Sequence, residues 1–593
     1  MGNLLTSFNA GVSGLQSAQA SLTVTAHNMS NAQTTGYTRQ QVIVTDSFYQ
    51  TSVGAHDNVL QVGTGTVISL TRQVRNEFLD AQYRMQVGRQ QFYEANSKAT
   101  MEIEDMMGEL HGRQFQTSVN ELWGALNDIA TDPSDIVKKD QLVMVANQFV
   151  ERAKVLQNEL NIYQTSLNTE VQRQVQDIND IVTEIRELNK QIQRFEATGE
   201  SANDYRDKRN ELLDQLSNYI SFETSEQVDG TIMIYSEGAY LLDAVNQYYL
   251  STEYVNETSK LLKPVWENGE DFFLMDGLEY RKENNTDVGG LRGLLVARGD
   301  YAASYVNVPH KPQAEDFADA TEYNRALAQF NEDLEVYNKS VGASIVMSVQ
   351  SQLDTLIHGI VTAVNDAICP NKEIQIQNPD GTTSTISVLD EEKALIGDDK
   401  NKSIGVELFS RRGVQRYNQE EVTVVKEDGT TEKQTVYRYN EEDISDVYTM
   451  YTTSQLIVNP VIEKDASTLP TMYNEATGSK KGYAYNDWEQ IAQAFDNDIG
   501  TLNPNSMTTY TAKNFYVGMV TELSTQGSVW NGIIDNQAKT VVTLENERQN
   551  VMGVSSDEEL SNLIKYQQCY NASSRYITTV AEMLEYLIER LGS

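Results

Sequence analysis

The residues that most often do chemistry in proteins are few in this sequence and lie far apart. The two cysteines, Cys369 and Cys569, each have no second cysteine or histidine nearby. Their spacing therefore predicts neither a disulfide framework nor a zinc site. No two histidines stand in an HExxH or HxH arrangement, and we expect each to be an ordinary surface or core residue. The five histidines are His27, His56, His111, His310 and His358.

Acidic and glycine-bearing segments also fall short of known binding loops. The segment from Asp496 to Gly500 begins like a calcium loop, but its glycine is fifth instead of sixth, and Met507 stands where such a loop needs a bidentate glutamate. Residues 63–65 lack the third glycine of a dinucleotide-binding loop, and neither a Walker A sequence nor a GxSxG elbow occurs. Carboxylate pairs suited to glycoside hydrolysis are expected by chance in so acidic a chain. No catalytic residue, cofactor or metal is predicted.

Length and charge exclude several classes of partner. The chain has 593 residues, more than one hydrophobic core usually organises, so three or more domains are expected. Its 46 Lys and Arg oppose 85 Asp and Glu, a formal charge of -39, which disfavours nucleic acid and membranes as partners. No apolar run approaches the ~18 residues that span a bilayer. Residues 1–38 contain no charged residue, so the basic region of a signal peptide is missing. We expect a cytosolic protein or one exported with its N-terminus retained.

Both ends of the chain carry an apolar stripe with helical spacing. Each stripe steps by three and four residues, as in the seam of a coiled coil. An isolated helix with one such stripe is marginal in water, so we expect the two helices to pair. Either they close one globular domain, or other subunits complete their core. The positions are Leu4, Phe8, Gly11, Leu15, Ala18, Leu22, Thr25 and Met29 at one end and Leu563, Tyr566, Tyr570, Ser573, Ile577, Val580, Leu584, Leu587 and Leu591 at the other.

Between the ends, the period of the apolar residues alternates between helical and strand-like. Strand patterns are accompanied by hairpin turns such as Asp380–Gly381 and Asp428–Gly429. The sequence therefore predicts an α+β multidomain fold: a helical body, a coiled-coil-like domain formed by both chain termini, and inserted β-rich domains. Helical patterns cover residues 72–130, 138–195, 201–216 and 323–366, and resume from 513. The predicted domains are terminal helices 1–45 and 555–593, a helical domain 46–220, 323–370 and 511–554, a first β-rich domain 221–322, and a second, variable β-rich domain 371–510.

The N-terminal segment resembles a signature shared by flagellar rod, hook and hook-associated proteins. Residues 11–40 are GVSGLQSAQASLTVTAHNMSNAQTTGYTRQ, and the usual form of the signature is GLxxAQxxLxxxxNNIANxxTxGYSRQ. The departures, His27, Met29, Ser30 and Thr38, keep the pattern. This segment alone indicates an axial flagellar protein.

Three further segments narrow the resemblance to the flagellar hook-associated protein 1 family. Residues 203–213, NDYRDKRNELL, resemble its NDLRDQRDxLL, and residues 289–295, GGLRGLL, resemble its GGxLGGLL. Residues 558–573, EELSNLIKYQQCYNAS, resemble EEMxNLIxYQxAYxAS, with Leu560 and Cys569 as the departures. The resemblance is strong at both ends and over residues 200–366, and weak over 371–510.

This resemblance implies a structural subunit, not an enzyme, that joins the flagellar hook to the filament outside the cell. In the family, both termini form a coiled-coil-like domain that folds on assembly. The implied partners are further copies of the chain, the flagellar hook protein, the next hook–filament junction protein and a cytosolic export chaperone. A different axial protein, such as a hook protein, and a hydrolase domain within residues 221–510 remain alternatives. We expect the assembly interface at Leu15, Leu22, Met29, Leu563, Tyr570, Ile577, Leu584 and Leu587.

Overall fold

The computed structural model describes residues 2–53, 59–108, 113–257, 259–273, 285–317, 319–426 and 430–591. His56, His111 and the predicted Asp428–Gly429 turn lie outside these ranges. The α-helices are α1 (Gly2–Ser30), α2 (Glu77–Met107), α3 (Arg113–Thr131), α4 (Ile136–Glu196), α5 (Asn203–Leu216), α6 (Gly290–Arg298), α7 (Ala320–Lys339), α8 (Ile345–Ile368), α9 (Pro460–Lys464), α10 (Tyr485–Gln493), α11 (Ala512–Met552) and α12 (Ser556–Leu591).

The strands fall into three stretches of the chain. The first stretch holds β1 (Gln40–Asp46), β2 (Tyr49–Val53), β3 (Val59–Gly63) and β4 (Thr66–Gln73). The second holds β5 (Glu223–Glu226), β6 (Ile232–Ser236), β7 (Ala239–Leu242), β8 (Leu250–Tyr254) and β9 (Leu262–Trp266). The third holds β10 (Asn371–Gln377), β11 (Thr383–Leu389), β12 (Leu395–Ile396), β13 (Phe409–Arg411), β14 (Tyr417–Val425), β15 (Thr431–Tyr439), β16 (Leu456–Val458), β17 (Met472–Tyr473), β18 (Asp498–Thr501) and β19 (Thr509–Thr511).

Residues 40–73 differ from the sequence prediction, which divided them between the terminal helices and a helical domain. Residues 40–53 and 59–73 form an antiparallel arm in which β1 pairs with β4 and β2 with β3, and α1 ends at Ser30 and not near residue 45. Val44, Val67 and Leu70 are exposed on this arm. Because its apolar residues do not define one buried face, the alternation that normally reveals a strand is weak here.

Two of the predicted helical stretches each form two helices in the structure. The pattern over residues 72–130 becomes α2 and α3, and α2 ends at Gly108, whose φ of 73° is the left-handed conformation that glycine favours. The pattern over 323–366 becomes α7 and α8, and Ser344 caps the start of α8 by accepting a hydrogen bond from the backbone of Met347. Apolar periodicity located these helices, whereas their breaks depended on cap geometry.

The main hydrophobic core lies where α2, α3, α8, α11 and the first half of α4 meet. Phe149, Leu353 and Phe515 are fully buried in it. Trp488 and Phe495, which come from the second β-rich segment, are buried in the same core. Residues 371–510 are thus packed onto the helices through their C-terminal part, whereas β10, β11, β15 and β14 close into a small barrel with a separate apolar cluster.

A second core lies along the other half of α4. Ile178 and Ile185 of α4 pack with Leu213 of α5, Ile234 of β6 and Leu294 of α6. The helix α4 has 61 residues and is therefore roughly 90 Å long. Because its two halves belong to different cores, this single helix connects the two packed parts of the body.

Candidate functional site

The two chain termini form an antiparallel pair of helices, α1 and α12. Gly11 lies against Ile577, Gly14 lies against Ser573, and the Asn28 amide donates to Glu559 at 3.2 Å. Residue numbers rise along α1 as they fall along α12, which establishes the antiparallel direction. Two segments separated by more than 500 residues in sequence are thereby brought into one structural unit.

Small residues allow α1 and α12 to approach closely. A Cβ atom placed on Gly11 would lie 2.9 Å from Cγ1 of Ile577 and 2.9 Å from Cδ1 of Tyr576. Such distances are shorter than van der Waals contact, so a side chain at Gly11 would force the helices apart. The glycine is required here by packing and not by backbone conformation.

The predicted interface residues are only partly covered by this pairing. On α12, the stripe from Leu563 to Leu587 is the side that faces α1, and Val580 is its most buried member. On α1, by contrast, the deepest burial falls on small and polar residues, namely Gly11, Ser17, Ala18, Ser21, Thr25 and Asn28. The predicted residues Leu15, Leu22, Leu563, Tyr570, Ile577, Leu584 and Leu587 are half-buried, and Met29 is 37% exposed.

Further apolar side chains on the pair remain largely exposed to solvent. Each is close to half exposed or more, and none of them belongs to the core clusters found in the described part of the chain. Water-exposed apolar surface on two paired helices is characteristic of an interaction surface. The residues are Leu5, Leu560, Ile564, Tyr576, Met583, Tyr586 and Ile588.

The arm formed by β1–β4 packs on another side of α1. The hydroxyl of Ser13 accepts a hydrogen bond from the backbone N–H of Thr66 at 3.1 Å, and the hydroxyls of Ser17 and Thr66 lie 3.1 Å apart. Gly65 has a φ of 116°, and a Cβ there would lie 2.9 Å from Cα of Ala10. The arm therefore holds α1 independently of α12.

A buried asparagine joins the helix pair to the start of the arm. Asn28 is 1% exposed. Its amide donates to the backbone oxygen of Gln40 at 2.9 Å, and its side-chain oxygen accepts from the Gln40 N–H at 3.0 Å and from the Tyr37 hydroxyl at 2.8 Å. Burial and the nearby carboxylates raise the pKa of Tyr37. Both hydrogen-bonding faces of Asn28 are thus occupied.

The helix α5 presents a carboxylate to the same region. Asp207 accepts a hydrogen bond from the Thr38 N–H at 3.0 Å and another from the Gln73 side chain at 2.7 Å. Arg75 lies 4.0 Å away. Burial outweighs these favourable contacts and raises the pKa of Asp207 to about 6. Asp207 therefore links α5 to the residue before the arm, Thr38, and to its last residue, Gln73.

Arg39 connects the arm to the start of α12. Its guanidinium lies 3.0 Å from Glu558 and 3.2 Å from Glu559, whose side chain is 3% exposed. Its backbone N–H donates to the backbone oxygen of Met552, the last residue of α11, at 2.8 Å. Because Glu559 also accepts from Asn28, the buried charge of Glu559 is stabilised only when residues 28–39 are in place.

The last turns of α11 are fixed to the body by Arg548. Its guanidinium lies 2.8 Å from Asp80 of α2 and 2.7 Å from Asp214 of α5. Arg84 pairs with Asp214 at 2.6 Å, and burial lowers the pKa of Arg84. We name the set Asn28, Tyr37, Thr38, Arg39, Gln40, Asp80, Asp207, Asp214, Arg548 and Glu559 the polar joint.

Sequence reasoning did not predict the polar joint. Its members come from four separate segments, and no single segment contains enough of them to suggest a cluster. The only available signal was a polar residue at a position where an apolar one is expected. Asn28 stands on the apolar side of α1, and Asp207 occupies a position of α5 that is buried in the structure. The joint contains side chains of the quoted segments 11–40, 203–213 and 558–573, so three resembling segments meet at one place.

The described residues were also compared with the requirements of a metal site. In the part of the chain that the structure describes, no three His, Cys, Asp or Glu side chains form a group able to hold a metal ion. Cys369 is buried, which raises the pKa of its thiol to about 12, and Asp496 pairs with Lys513. None of the described helices is long and apolar enough to cross a membrane. The chemistry available at the joint is hydrogen bonding and ion pairing between elements.

Two family models of flagellar proteins match segments of this chain. A family model described as "Flagellar hook-associated protein FlgK helical domain" matches residues 100–368. A second, "Flagellar basal body rod FlgEFG protein C-terminal", matches residues 547–590, which include most of α12. The chain is therefore similar to flagellar proteins in residues 100–368 and 547–590.

Two relatives match almost the whole chain. "Flagellar hook-associated protein 1" of Bacillus subtilis (strain 168) is 23% identical over 584 residues, covering 98% of this chain and 96% of that protein. Its counterpart of Escherichia coli (strain K12) is 22% identical over 623 residues, covering 98% of each. The solved flagellar hook junction protein FlgK from Burkholderia pseudomallei gives a TM-score of 0.49 at 11% identity, covering 79% of this chain and 100% of that chain. The chain is thus similar over nearly its whole length to two curated flagellar hook-associated proteins 1.

Proposed function

We propose that this chain is a structural subunit that joins the flagellar hook to the filament. Its similarity to two proteins named as flagellar hook-associated protein 1 supports this function. The observation that carries the proposal is the pairing of α1 with α12, which leaves apolar side chains of both helices in water. An isolated pair of helices of this kind gains free energy by burying those side chains against further helices.

In this proposal the subunits assemble through their terminal helices. Each copy contributes one α1–α12 pair, and neighbouring copies cover the half-buried positions Leu15, Leu22, Met29, Leu563, Tyr570, Ile577, Leu584 and Leu587. Head-to-tail contacts of this type generate a ring or a helical stack. The polar joint then fixes the direction in which the body projects from the assembled helices.

The proposed partners and location follow from the resemblance to the flagellar hook-associated protein 1 family. They are further copies of the chain, the flagellar hook protein on one side and the next hook–filament junction protein on the other, in a location outside the cell. Before export, a cytosolic chaperone covers the exposed apolar residues of α12. That surface supports the chaperone proposal because unprotected apolar patches favour aggregation.

The proposal is tested by changing exposed residues of α12 that do not support the monomer. Ile564→Glu with Met583→Glu adds charges where the monomer is exposed, so the purified chain should keep its melting temperature. Placed in flagellated cells that lack the native subunit, this variant should give hooks without filaments. The matched control Gln568→Glu with Thr578→Glu alters exposed polar positions of the same helix and adds the same charge.

Two results would contradict the proposed function. One is a double variant, Ile564→Glu with Met583→Glu, that supports filaments as well as the unchanged chain. The other is a truncation lacking residues 1–40 or 560–593 that still assembles at hook tips. Labelling of the whole hook instead of a narrow band at its end would favour the alternative of a hook protein.

A further inference from the structure

The sequence contains two pairs in which glycine follows asparagine, Asn268–Gly269 and Asn531–Gly532. At such a pair the backbone nitrogen of the glycine can attack the side-chain amide carbon of the asparagine, because glycine has no side chain to block the approach. The two pairs lie in different secondary structure, so the fold decides which of them reacts.

The first pair lies at the tip of the hairpin turn that follows β9. Trp266 and Glu270 close this turn, with the Trp266 N–H donating to the Glu270 backbone oxygen at 2.8 Å. Asn268 and Gly269 are exposed, and a Cβ placed on Gly269 would have no atom within 4 Å, so solvent reaches this peptide freely. One bond opposes the attack: the Gly269 N–H donates to the Trp266 oxygen at 2.9 Å and must open first. In an exposed turn such a bond opens easily.

The side chain of Asn268 is held over the peptide that would attack it. Its oxygen accepts a hydrogen bond from the Glu270 N–H at 3.1 Å, and its Nδ2 donates to the Glu270 carboxylate at 3.0 Å. An asparagine that bonds to the backbone two residues on folds its amide back across the intervening residue, here Gly269. The Glu270 N–H also lies where negative charge develops on the amide oxygen during the attack, and a donor in that position stabilises the intermediate.

The second pair lies within α11, where the helix prevents the same attack. The N–H of each residue in an α-helix is bonded to the carbonyl four residues earlier, which holds the nitrogen of Gly532 in place. Side chains tilt toward the start of a helix, whereas this nitrogen lies on the other side of Asn531. The Asn531 side-chain oxygen also accepts a hydrogen bond from the Ser97 hydroxyl at 2.9 Å. Attack here requires local unfolding of α11.

We propose that Asn268 is a self-modification site, where the side-chain amide becomes a carboxylate in the folded chain while Asn531 is spared. The Gly269 nitrogen loses its proton to a solvent base and forms a bond to Cγ of Asn268. The bond from Cγ to Nδ2 breaks, and Nδ2 leaves as ammonia with a proton taken from water, which gives a cyclic succinimide. Water then opens this ring at Cγ to give aspartate, or at the backbone carbonyl carbon to give isoaspartate. Overall, asparagine and water give the acid and ammonia, and no oxidant or reductant takes part.

The isoaspartate product changes the length of the turn. In isoaspartate the main chain runs through the side-chain carbon, so an extra methylene separates residues 268 and 269. The bond between the Trp266 N–H and the Glu270 oxygen cannot keep its geometry in this longer turn. Phe272 and Phe273, which follow directly, are buried in the second core. The modification therefore loosens the edge of a packed part of the body.

The experiment follows both sites in one sample of the purified full chain. The chain is kept in mildly alkaline buffer, and mass spectrometry of its peptides measures the conversion of amide to acid at Asn268 and at Asn531. In the folded chain Asn268 should convert at least about tenfold faster, which corresponds to 1.4 kcal/mol of local helix opening. In urea, which removes the helix and the turn, the two rates should become similar.

Three results would overturn the inference. They are equal rates at the two sites in the folded chain, no conversion of Asn268, and a ratio of rates that urea leaves unchanged. The reaction goes beyond the proposed function and depends on the folded chain alone. A chain that fails to convert can still form a band at the hook end, so the two hypotheses are tested separately.

Hydrogen exchange measures the effect on the turn. Converted chains are separated from unconverted ones by ion exchange, and their amides in residues 264–273 should exchange roughly two- to tenfold faster, as expected for the loss of one hydrogen bond. The control is Asn268→Gln, which keeps an uncharged amide on a longer side chain and should show no change after the same incubation. Equal exchange in converted and unconverted chains would overturn the inferred loosening of the turn.

Discussion

Replacing Asn28 by alanine is the most direct test of the polar joint. Asn28 is 1% exposed and takes part in four hydrogen bonds, two with the Gln40 backbone and one each with Tyr37 and Glu559. Alanine would leave the buried N–H and C=O of Gln40 without this partner and would remove one donor from the Glu559 carboxylate. Each unsatisfied buried group costs about 1–3 kcal/mol, so we expect a loss of about 3 kcal/mol.

This loss should appear as local opening of the terminal pair and not as global unfolding. The α1–α12 pair lies outside the core clusters of the body, so α12 can detach while α4 and α8 stay folded. Hydrogen exchange of α12 amides in Asn28→Ala should be on the order of a hundredfold faster than in the unchanged monomer, since 1.4 kcal/mol corresponds to tenfold. Exchange in α4 should not change.

The control is Asn9→Ala, at an exposed position of α1, which should leave exchange unaltered. Two outcomes would refute the reasoning. In one, exchange of α12 in Asn28→Ala stays within about twofold of the unchanged chain. In the other, α12 of the unchanged monomer already exchanges as an unfolded peptide does, which would mean that the joint forms only on assembly.

Three further predictions concern Asp207 and Arg548 of the polar joint and Gly65 of the arm. The pKa of Asp207 is raised to about 6 from an ordinary 3.8, so its contribution to the free energy of unfolding is fully present below pH 3.8 and is lost as the pH rises through 6. Asp207→Asn should remove a pH dependence of about 3 kcal/mol between pH 4 and 7, measured by urea unfolding. Arg548→Met leaves the buried carboxylate of Asp80 and the half-buried carboxylate of Asp214 without this partner and should cost about 3 kcal/mol in the same assay. Gly65→Ala should destabilise the arm by about 1–3 kcal/mol, seen as faster proteolysis between β1 and β4, because of its positive φ and its contact with α1.

Matched controls separate these effects from general sensitivity to mutation. Asp140→Asn removes a carboxylate at an exposed position and should leave the pH dependence of unfolding as it is. Gly124→Ala places a Cβ where no atom lies within 4 Å in the helix α3, and should raise stability by about 0.5–1 kcal/mol. Equal losses of stability for Gly65→Ala and Gly124→Ala would show that the contact of the arm with α1 does not contribute to stability.

The terminal helices and the long helix α4 were accessible to prediction because their signal is local. Apolar residues at steps of three and four identify α12 and its side facing α1 without any knowledge of the partner. On α1 the same reasoning was less accurate. The residues most deeply buried there, such as Ser17 and Thr25, are small and polar, and they are buried because neighbouring helices and strands come close. Periodicity of large apolar residues does not detect close approach.

The polar joint and the arm were not accessible for a different reason. The contact between Asn28 and Glu559 joins residues 531 positions apart, and neither segment has a property that identifies the other as its partner. The arm, residues 40–73, has exposed apolar residues and a register shift between Ile43 and Val44 that disturbs its alternation. Long-range polar contacts form where folding brings distant elements together. The local pattern of a single sequence does not show which elements will meet.

From the contacts of the two terminal helices, we predict that the stability of α12 depends on α1 more than the stability of α1 depends on α12. The arm holds α1 through Ser13, Ser17 and Thr66. By contrast, Arg39 is bound to α12 only at the first turn of that helix, through Glu558 and Glu559. Removing residues 556–593 should therefore leave α1 protected from exchange. Removing residues 1–40 should leave α12 unprotected, because Glu559 then loses both partners and the stripe loses its cover. Hydrogen exchange of the two truncated monomers measures this asymmetry. Equal loss of protection in both would mean that the arm does not hold α1, and that the two helices are stable only as a pair.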